Sequence, residues 1–256
     1  MTALLKTSAE IEIMREGGGR LGAILDTLKR EAKVGVTTNF LDSLARKLIR
    51  EAGAEPAFLK YRPSGSKRAY PKTLCASVNE VVVHGIPSDA PLKEGDVVSL
   101  DLGLKYKKFY VDAALTVGVG NISDTAQKLI AATREALERA IAEVRPGRTL
   151  GDIGAIVEKT VGKHGFSVVR SLTGHGIGRE LHEEPTVLNF GNPGGGEVLR
   201  EGIVIAIEPM VAAGRGETVQ REDDSYATKD NSLAAHFEHT VAVTKHGSSM
   251  LTATLI

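Results

Sequence analysis

The chain has 256 residues, 32 Lys and Arg balanced by 32 Asp and Glu, and 42% hydrophobic residues, a composition that excludes a disordered or fibrous chain. Zero formal net charge excludes a protein built to coat nucleic acid or an anionic membrane, because both need surplus positive charge. A single cysteine, Cys75, no apolar run near the ~20 residues of a membrane span and no apolar core for a signal peptide give the expectation of a cytoplasmic protein, with neither membrane nor specific DNA as partner.

Ile11, Met14, Leu21, Leu25 and Leu28 keep helical spacing from residue 8 to about 32. Gly17-Gly18-Gly19 interrupt that stripe at about 1 kcal/mol each relative to Ala, which points to close packing there. A second helix opens near Thr38 or Asn39, carries Leu41, Leu44, Leu48 and Ile49 on one stripe and stops at Gly53. A basic, turn-rich stretch, 60–72, follows. Short β-branched runs at Val81–Val83, Val97-Val98 and 115–119 then read as strands. Asp124-x-x-Gln127 caps a predicted helix running to about Val144, and Thr149-x-x-Asp152 is a capping box for another ending at Gly165. Strands return at 203–207 and 241–243, while Gly194-Gly195-Gly196 lacks the Lys-Ser/Thr of a phosphate loop and reads as a turn.

The order of elements repeats. Gly35-x-Thr37, Leu41, Leu44, Ile49 and Gly53 match Gly147-x-Thr149, Ile153, Ile156, Val161 and Gly165 at a constant offset of 112. This predicts an α+β fold in a single domain spanning 1–256, with two pseudo-twofold-related halves near 1–119 and 120–256 that share one core. Polar residues recur in step: His84-Gly85-Ile86 with His175-Gly176-Ile177, the run ending in Asp101 with the run ending in Glu208, and Tyr110-Val111-Asp112 with His236-Phe237-Glu238.

A hairpin turning about Tyr106-Lys107 places Asp101 and Asp112 directly opposite, Cβ atoms ~5 Å apart on one face. Such a pair among apolar residues persists only with a shared proton or an intervening cation. With Glu208 and Glu238 added, four carboxylates converge. One proton cannot neutralise them, whereas two divalent cations can. Oxygen ligands plus an imidazole suit Mn²⁺, Fe²⁺, Co²⁺ or Zn²⁺, and the absence of paired cysteines excludes a thiolate zinc site. Two such ions acidify a water, so the implied chemistry is hydrolysis.

Five motifs then come into view together: Ser77-Val78-Asn79-Glu80 to His84-Gly85-Ile86-Pro87; Asp101 eleven residues before Asp112; Thr173-Gly174-His175-Gly176-Ile177-Gly178 to His182-Glu183-Glu184-Pro185; Ile207-Glu208-Pro209-Met210; and Phe237-Glu238-His239-Thr240. In this order they resemble the type I methionine aminopeptidases and, more widely, the pita-bread metallopeptidase fold. The resemblance implies that Asp101 chelates one of two ions, that Asp112 and Glu238 bridge both, and that His175 and Glu208 complete the other. It implies Glu208 as acceptor of the attacking water's proton, His84 as a hydrogen-bond partner of the scissile amide, and His182 as the stabiliser of the oxyanion. The internal repeat alone would instead make His84 a ligand.

Tyr70 and Cys75 match the wall of the family's methionine pocket, a role set against a plain buried thiol for Cys75. Leu181 stands where the family usually has an aromatic and Asp224 where it commonly has a tryptophan, with Tyr226 near enough to compensate. The implied activity is removal of the initiator methionine from nascent chains, favoured when the second residue is small, by a monomer with the ribosome as expected partner. The stretch 60–72 is then an RNA contact or, more simply, a solvated loop. The rival readings are an Xaa-Pro aminopeptidase or prolidase on the same fold and a relative that binds without catalysis.

Overall fold

The computed structural model describes residues 3–62 and 68–253. Helix α1 (Ser8–Glu31) opens on a capping box in which Thr7 Oγ1 accepts the Glu10 N–H and the Glu10 carboxylate accepts the Thr7 N–H. Helix α2 (Thr38–Glu51) is capped by Thr37, and α4 (Leu150–Lys163) by the expected box of Thr149 and Asp152. The start of α3 (Asp124–Glu143) corrects the sequence reading: Ser123, not Asp124, accepts the Ala126 N–H. Asp124 lies in the first turn, where its charge meets the positive end of the helix dipole. Among the described residues no helix is long and apolar enough to cross a membrane.

The strands are β1 (Glu55–Pro56), β2 (Cys75–Val78), β3 (Val81–Val83), β4 (Val97–Tyr106), β5 (Phe109–Gly118), β6 (Ser167–Val168), β7 (Gly174–Gly176), β8 (Glu183–Val187), β9 (Val204–Ile207), β10 (Met210–Ala212), β11 (Thr218–Gln220), β12 (Tyr226–Thr228), β13 (Ala234–His236), β14 (Glu238–Thr244) and β15 (Gly247–Met250). The main sheet runs β1-β4-β5-β14-β9-β7-β8, with β2 on β4 and β15 on β14, and its pairings are antiparallel.

Side-chain alternation gives this sheet two distinct faces. Leu100, Leu102 and Leu104 of β4 and Val111, Ala113 and Leu115 of β5 share one core with Leu21, Leu25 and Leu28 of α1 and Leu41 and Ile49 of α2. Ile205, Ile207, Val241 and Val243 share a second with Leu129 and Leu137 of α3 and Ile153 and Val157 of α4. Each of these large side chains contributes roughly 1.5–3 kcal/mol on burial, so the apolar stripes outweigh the cost of the helix glycines. A Cβ on Gly17 would come 3.2 Å from Tyr106 Cβ, and one on Gly18 would come 2.1 Å from the Leu251 carbonyl oxygen. The close packing expected of the glycine run therefore holds at two positions, because Gly19 has open space beside it.

The β4–β5 hairpin also corrects an expectation. Its two-residue turn is Lys107-Lys108, both left-handed (φ 45 and 77), as a type I′ turn requires. Tyr106 consequently pairs with Phe109, Asp101 with Ala114 and Asp112 with Gly103. Asp101 and Asp112 are therefore diagonal neighbours, not directly opposite. The displacement is two residues, so both stay on one face.

In the second half, Ile207 pairs with His239 and Met210 with His236, so one register continues across Glu208-Pro209 and brings Glu208 abreast of Glu238. Pro209 has no N–H to give the ladder, and there the strands part into a separate β13-β10-β6 sheet.

The main sheet is joined between β5 and β14, where only Glu238↔Ala114 and His239↔Ala113 pair. Threonine hydroxyls take over on either side. Thr240 Oγ1 accepts the Asp112 N–H at 2.9 Å and donates to the Asp112 carbonyl at 2.8 Å. Thr116 Oγ1 accepts the His236 N–H at 2.9 Å and donates to the His236 carbonyl at 2.7 Å. Each hydroxyl thus satisfies two buried backbone groups that the parted strands leave without ladder partners.

Candidate metal centre

Strand parity settles which side chains meet. Asp101 and Asp112 share the face opposite α1 and α2; Glu238 pairs across from Ala114 on that face, Glu208 stands abreast of Glu238, and His175 pairs with Ala206 beside them. All four acids are buried, with Asp101 8%, Asp112 4%, Glu208 9% and Glu238 2% exposed. Ligand atoms of Asp112, His175 and Glu238 lie within 4.8 Å of one another. Glu208 flanks this trio, its Oε1 3.6 Å from His175 Nε2. Asp101 Oδ1 and Asp112 Oδ1 have no hydrogen-bond partner.

Burial is the main cause that raises each carboxyl pKa. It drives Asp101, Glu208 and Glu238 well above the usual carboxylate range, with neighbouring carboxylates adding to the effect. Asp112 is pushed up to about 7 despite the opposing Ala113 N–H and its hydrogen bond with Asp101. Two ionised carboxylates ~4 Å apart at an effective dielectric near 20 repel by about 4 kcal/mol. The cluster therefore needs positive charge when ionised, and bare carboxylate oxygens offer themselves to it.

The imidazole fits the same requirement. His175 Nδ1 donates to the Gly176 carbonyl at 2.9 Å, which leaves the Nε2 lone pair towards Glu208. Burial lowers its pKa to about 4, so the ring is neutral at physiological pH, as a metal ligand must be. Carboxylates with one imidazole suit a hard or borderline divalent cation.

The other expected residues surround this centre. His182 is exposed, its ring edge-on to His175 with centroids 4.4 Å apart. Its Nδ1 lies 2.8 Å from the Tyr61 hydroxyl. Burial raises the Tyr61 pKa, so that hydroxyl keeps its proton, and in the ring tautomer where it donates to Nδ1 the Nε2–H of His182 is left as a donor. Sequence reasoning missed Tyr61, which lies 121 residues from His182 in a stretch read only for its charge.

His84 is also exposed, held at φ 61 against Gly85, where a Cβ would come 2.4 Å from the Ala76 carbonyl oxygen. The Tyr226 ring stands 5.9 Å from the His84 ring, while Asp224 occupies the β11–β12 turn and accepts from Gln220 Nε2 at 3.2 Å.

Tyr70 and Cys75 form the apolar side. Cys75 pairs with Asp101 across β2 and β4, and burial raises its pKa, keeping it a neutral thiol. The Tyr70 hydroxyl lies 2.9 Å from the Gly85 carbonyl and 3.0 Å from that of Leu74. Leu181 is buried in the same core. His236, noticed in the sequence only as a repeat position, also enters the centre, with Nε2 3.5 Å from Glu208 Oε2.

Residues 12–245 match metallopeptidase family M24. The chain is 45% identical to a methionine aminopeptidase of Aquifex aeolicus, over 98% of this chain and 99% of that protein. It superposes with a TM-score of 0.94 on the crystal structure of methionine aminopeptidase from Rickettsia prowazekii, 39% identical, covering 98% of this chain and 100% of the other. A prolidase from Pyrococcus furiosus is 25% identical with a TM-score of 0.79, and 99% of this chain spans only 66% of that one.

Proposed function

The chain belongs to metallopeptidase family M24, and from that premise we propose its reaction: metal-dependent hydrolysis that removes the N-terminal initiator methionine of nascent proteins, favoured when the second residue is small. The observation that carries this reading is full-length likeness to methionine aminopeptidases combined with buried Asp112 and Glu238 and half-buried His175, whose ligand atoms lie within 4.8 Å of one another. A single catalytic domain of two halves, each contributing ligands, agrees with the continuous sheet.

Asp101, with Asp112 and Glu238, would hold one divalent ion, and His175 and Glu208, with the same Asp112 and Glu238, would hold a second. When bound, such ions lower the pKa of a coordinated water and polarise the scissile carbonyl. Glu208 accepts the water's proton. His182 Nε2–H, oriented by Tyr61, donates to the developing oxyanion, a contact worth ~10²-fold or more in rate. His84 holds the scissile amide. Tyr70, Cys75 and Leu181 present an apolar wall to the methionine side chain, and the neutral thiol suits a thioether.

The same reading places the protein in the cytoplasm as a monomer working beside the ribosome. Of the basic stretch, Lys72 is engaged with Asn39 Oδ1 at 2.6 Å, and Lys67 lies outside the described residues. Comparing hydrolysis of Met-Ala-Ser and Ala-Pro-Ala tests the substrate: faster cleavage of the second would assign the chain to the prolidase-like branch. Titrating metal-free protein with Mn²⁺ or Co²⁺ while following Met-Ala-Ser turnover tests catalysis itself, and silence throughout would favour a binding relative.

A further inference from the structure

His182 rides on the loop 177–182, which joins β7 to β8 between the paired residues Gly176 and Glu183. Contacts with Tyr61 and His175 fix where its ring lies, but a side chain is placed only as well as the backbone beneath it. That backbone is gathered by Glu183. Its Oε1 accepts the Arg179 N–H at 2.6 Å and the Glu180 N–H at 3.1 Å, drawing the loop back onto the residue that follows His182.

The other oxygen of Glu183 accepts from Lys6 Nζ, so the whole carboxylate is engaged. The Lys6 and Glu183 side chains are 1% and 2% exposed. Lys6 lies across the start of the loop, where a Cβ on Gly178 would come 2.4 Å from Lys6 Cε. Its own backbone is pinned, because the Lys6 N–H donates to the Gly202 carbonyl at 2.8 Å, one residue before the Thr7 cap of α1.

Stability does not account for such a pair. Burying two opposite charges costs desolvation that their attraction repays only in part, and apolar residues of like volume are often as stable or more so. Burial lowers the Lys6 pKa against the pull of Glu183, which is that cost showing. An ion pair with every oxygen satisfied gives direction instead, since it tolerates few geometries, and here the geometry it fixes is that of the loop carrying His182.

We propose that Lys6 and Glu183 are positioning residues that hold the loop 177–182 so that His182 meets the reacting carbonyl. The inference rests on the reading of His182 as the oxyanion donor and adds to it what aims that donor.

The test is a mutant cycle with His182. Lys6→Met, Glu183→Gln and the double variant are each made in the wild-type chain and in His182→Ala, and Met-Ala-Ser turnover is followed at saturating Mn²⁺. In the wild-type background each should lower kcat about tenfold with KM within about twofold, because a displaced donor forfeits part of the ~10²-fold it supplies. In the His182→Ala background none should lower kcat further. Wild-type kcat in the double variant would overturn the proposal, as would an equal loss in both backgrounds, which marks a merely structural pair. The double variant leaves neither charge buried alone, so it keeps the test open if a single variant fails to fold. Wild-type silence on Met-Ala-Ser, or His182→Ala turnover equal to that of the wild type, would instead remove the functional reading on which the proposal stands.

Discussion

Removing metal should make the protein's stability fall as pH rises through neutrality. Asp101, Glu208 and Glu238 have pKa values raised by burial, and Asp112 is pushed up to about 7. An acid whose folded pKa is raised contributes stability that is complete below its unfolded pKa and is lost as pH climbs through the folded one. His175, His236 and His239, lowered to about 4, about 3 and about 4 by burial, act in the opposite sense. Their effect fades as unfolded imidazoles lose their protons, to about a quarter of its full slope at pH 7 and about a tenth at pH 7.5.

Between about pH 7 and 8 the carboxylates therefore dominate, each native-only proton giving a slope of ~1.4 kcal/mol per pH unit. One to two such protons shift Tm downward by roughly 3–11 °C per pH unit in a chain of this size. Saturating Mn²⁺ should displace the protons, cancel the fall and add ~2.7 kcal/mol at a hundredfold excess over Kd. The assay is thermal denaturation of chelated and Mn²⁺-loaded protein across this range. A chelated protein whose Tm stays flat or rises with pH would show that the four acids ionise freely and are not desolvated together.

Four further outcomes are expected. Gly19→Ala should stabilise by ~1 kcal/mol because its Cβ meets open space, whereas Gly18→Ala, driven into the Leu251 carbonyl, should destabilise; thermal melts showing the reverse order would contradict the packing. Glu208→Gln should abolish Met-Ala-Ser turnover while circular dichroism shows an intact fold, and activity above a few per cent of wild type would exclude it as the base. Tyr61→Phe should lower kcat about fivefold, the ~1 kcal/mol of one hydrogen bond, with KM little changed; an unaltered kcat would mean that the phenol does not orient His182. Thr240→Val strips both partners from the Asp112 backbone and should cost ~2–6 kcal/mol in denaturant unfolding.

The helices were legible because their apolar stripes keep helical spacing and Thr149 announces the cap of α4, whereas the caps Thr7 and Thr37 went unread. Ser123 was missed because it adjoins Asp124, and two cap-forming residues in succession leave the frame open by one. The hairpin register failed for a related reason: Lys107-Lys108 adopts a left-handed turn without the Asn or Gly that usually signals one. The four acids and His175 could be gathered from the repeat because strand parity survives a two-residue slip. Tyr61 and the orientation of His236 could not, since nothing local to either residue encodes what lies across the cleft.

The paired threonine grips at the seam have the logic of a contact between two copies of one molecule, in which residue i meets j while j meets i. Thr116 reaches to His236 as Thr240 reaches to Asp112, and a short exposed connector at Gly120 and Asn121 ties the copies into one polypeptide. Severing that connector would yield two fragments, one bearing Asp101 and Asp112, the other His175, Glu208 and Glu238, neither with a full complement of donors. Their reunion would be driven by cation uptake, turning a covalently fused enzyme back into a concentration-dependent partnership.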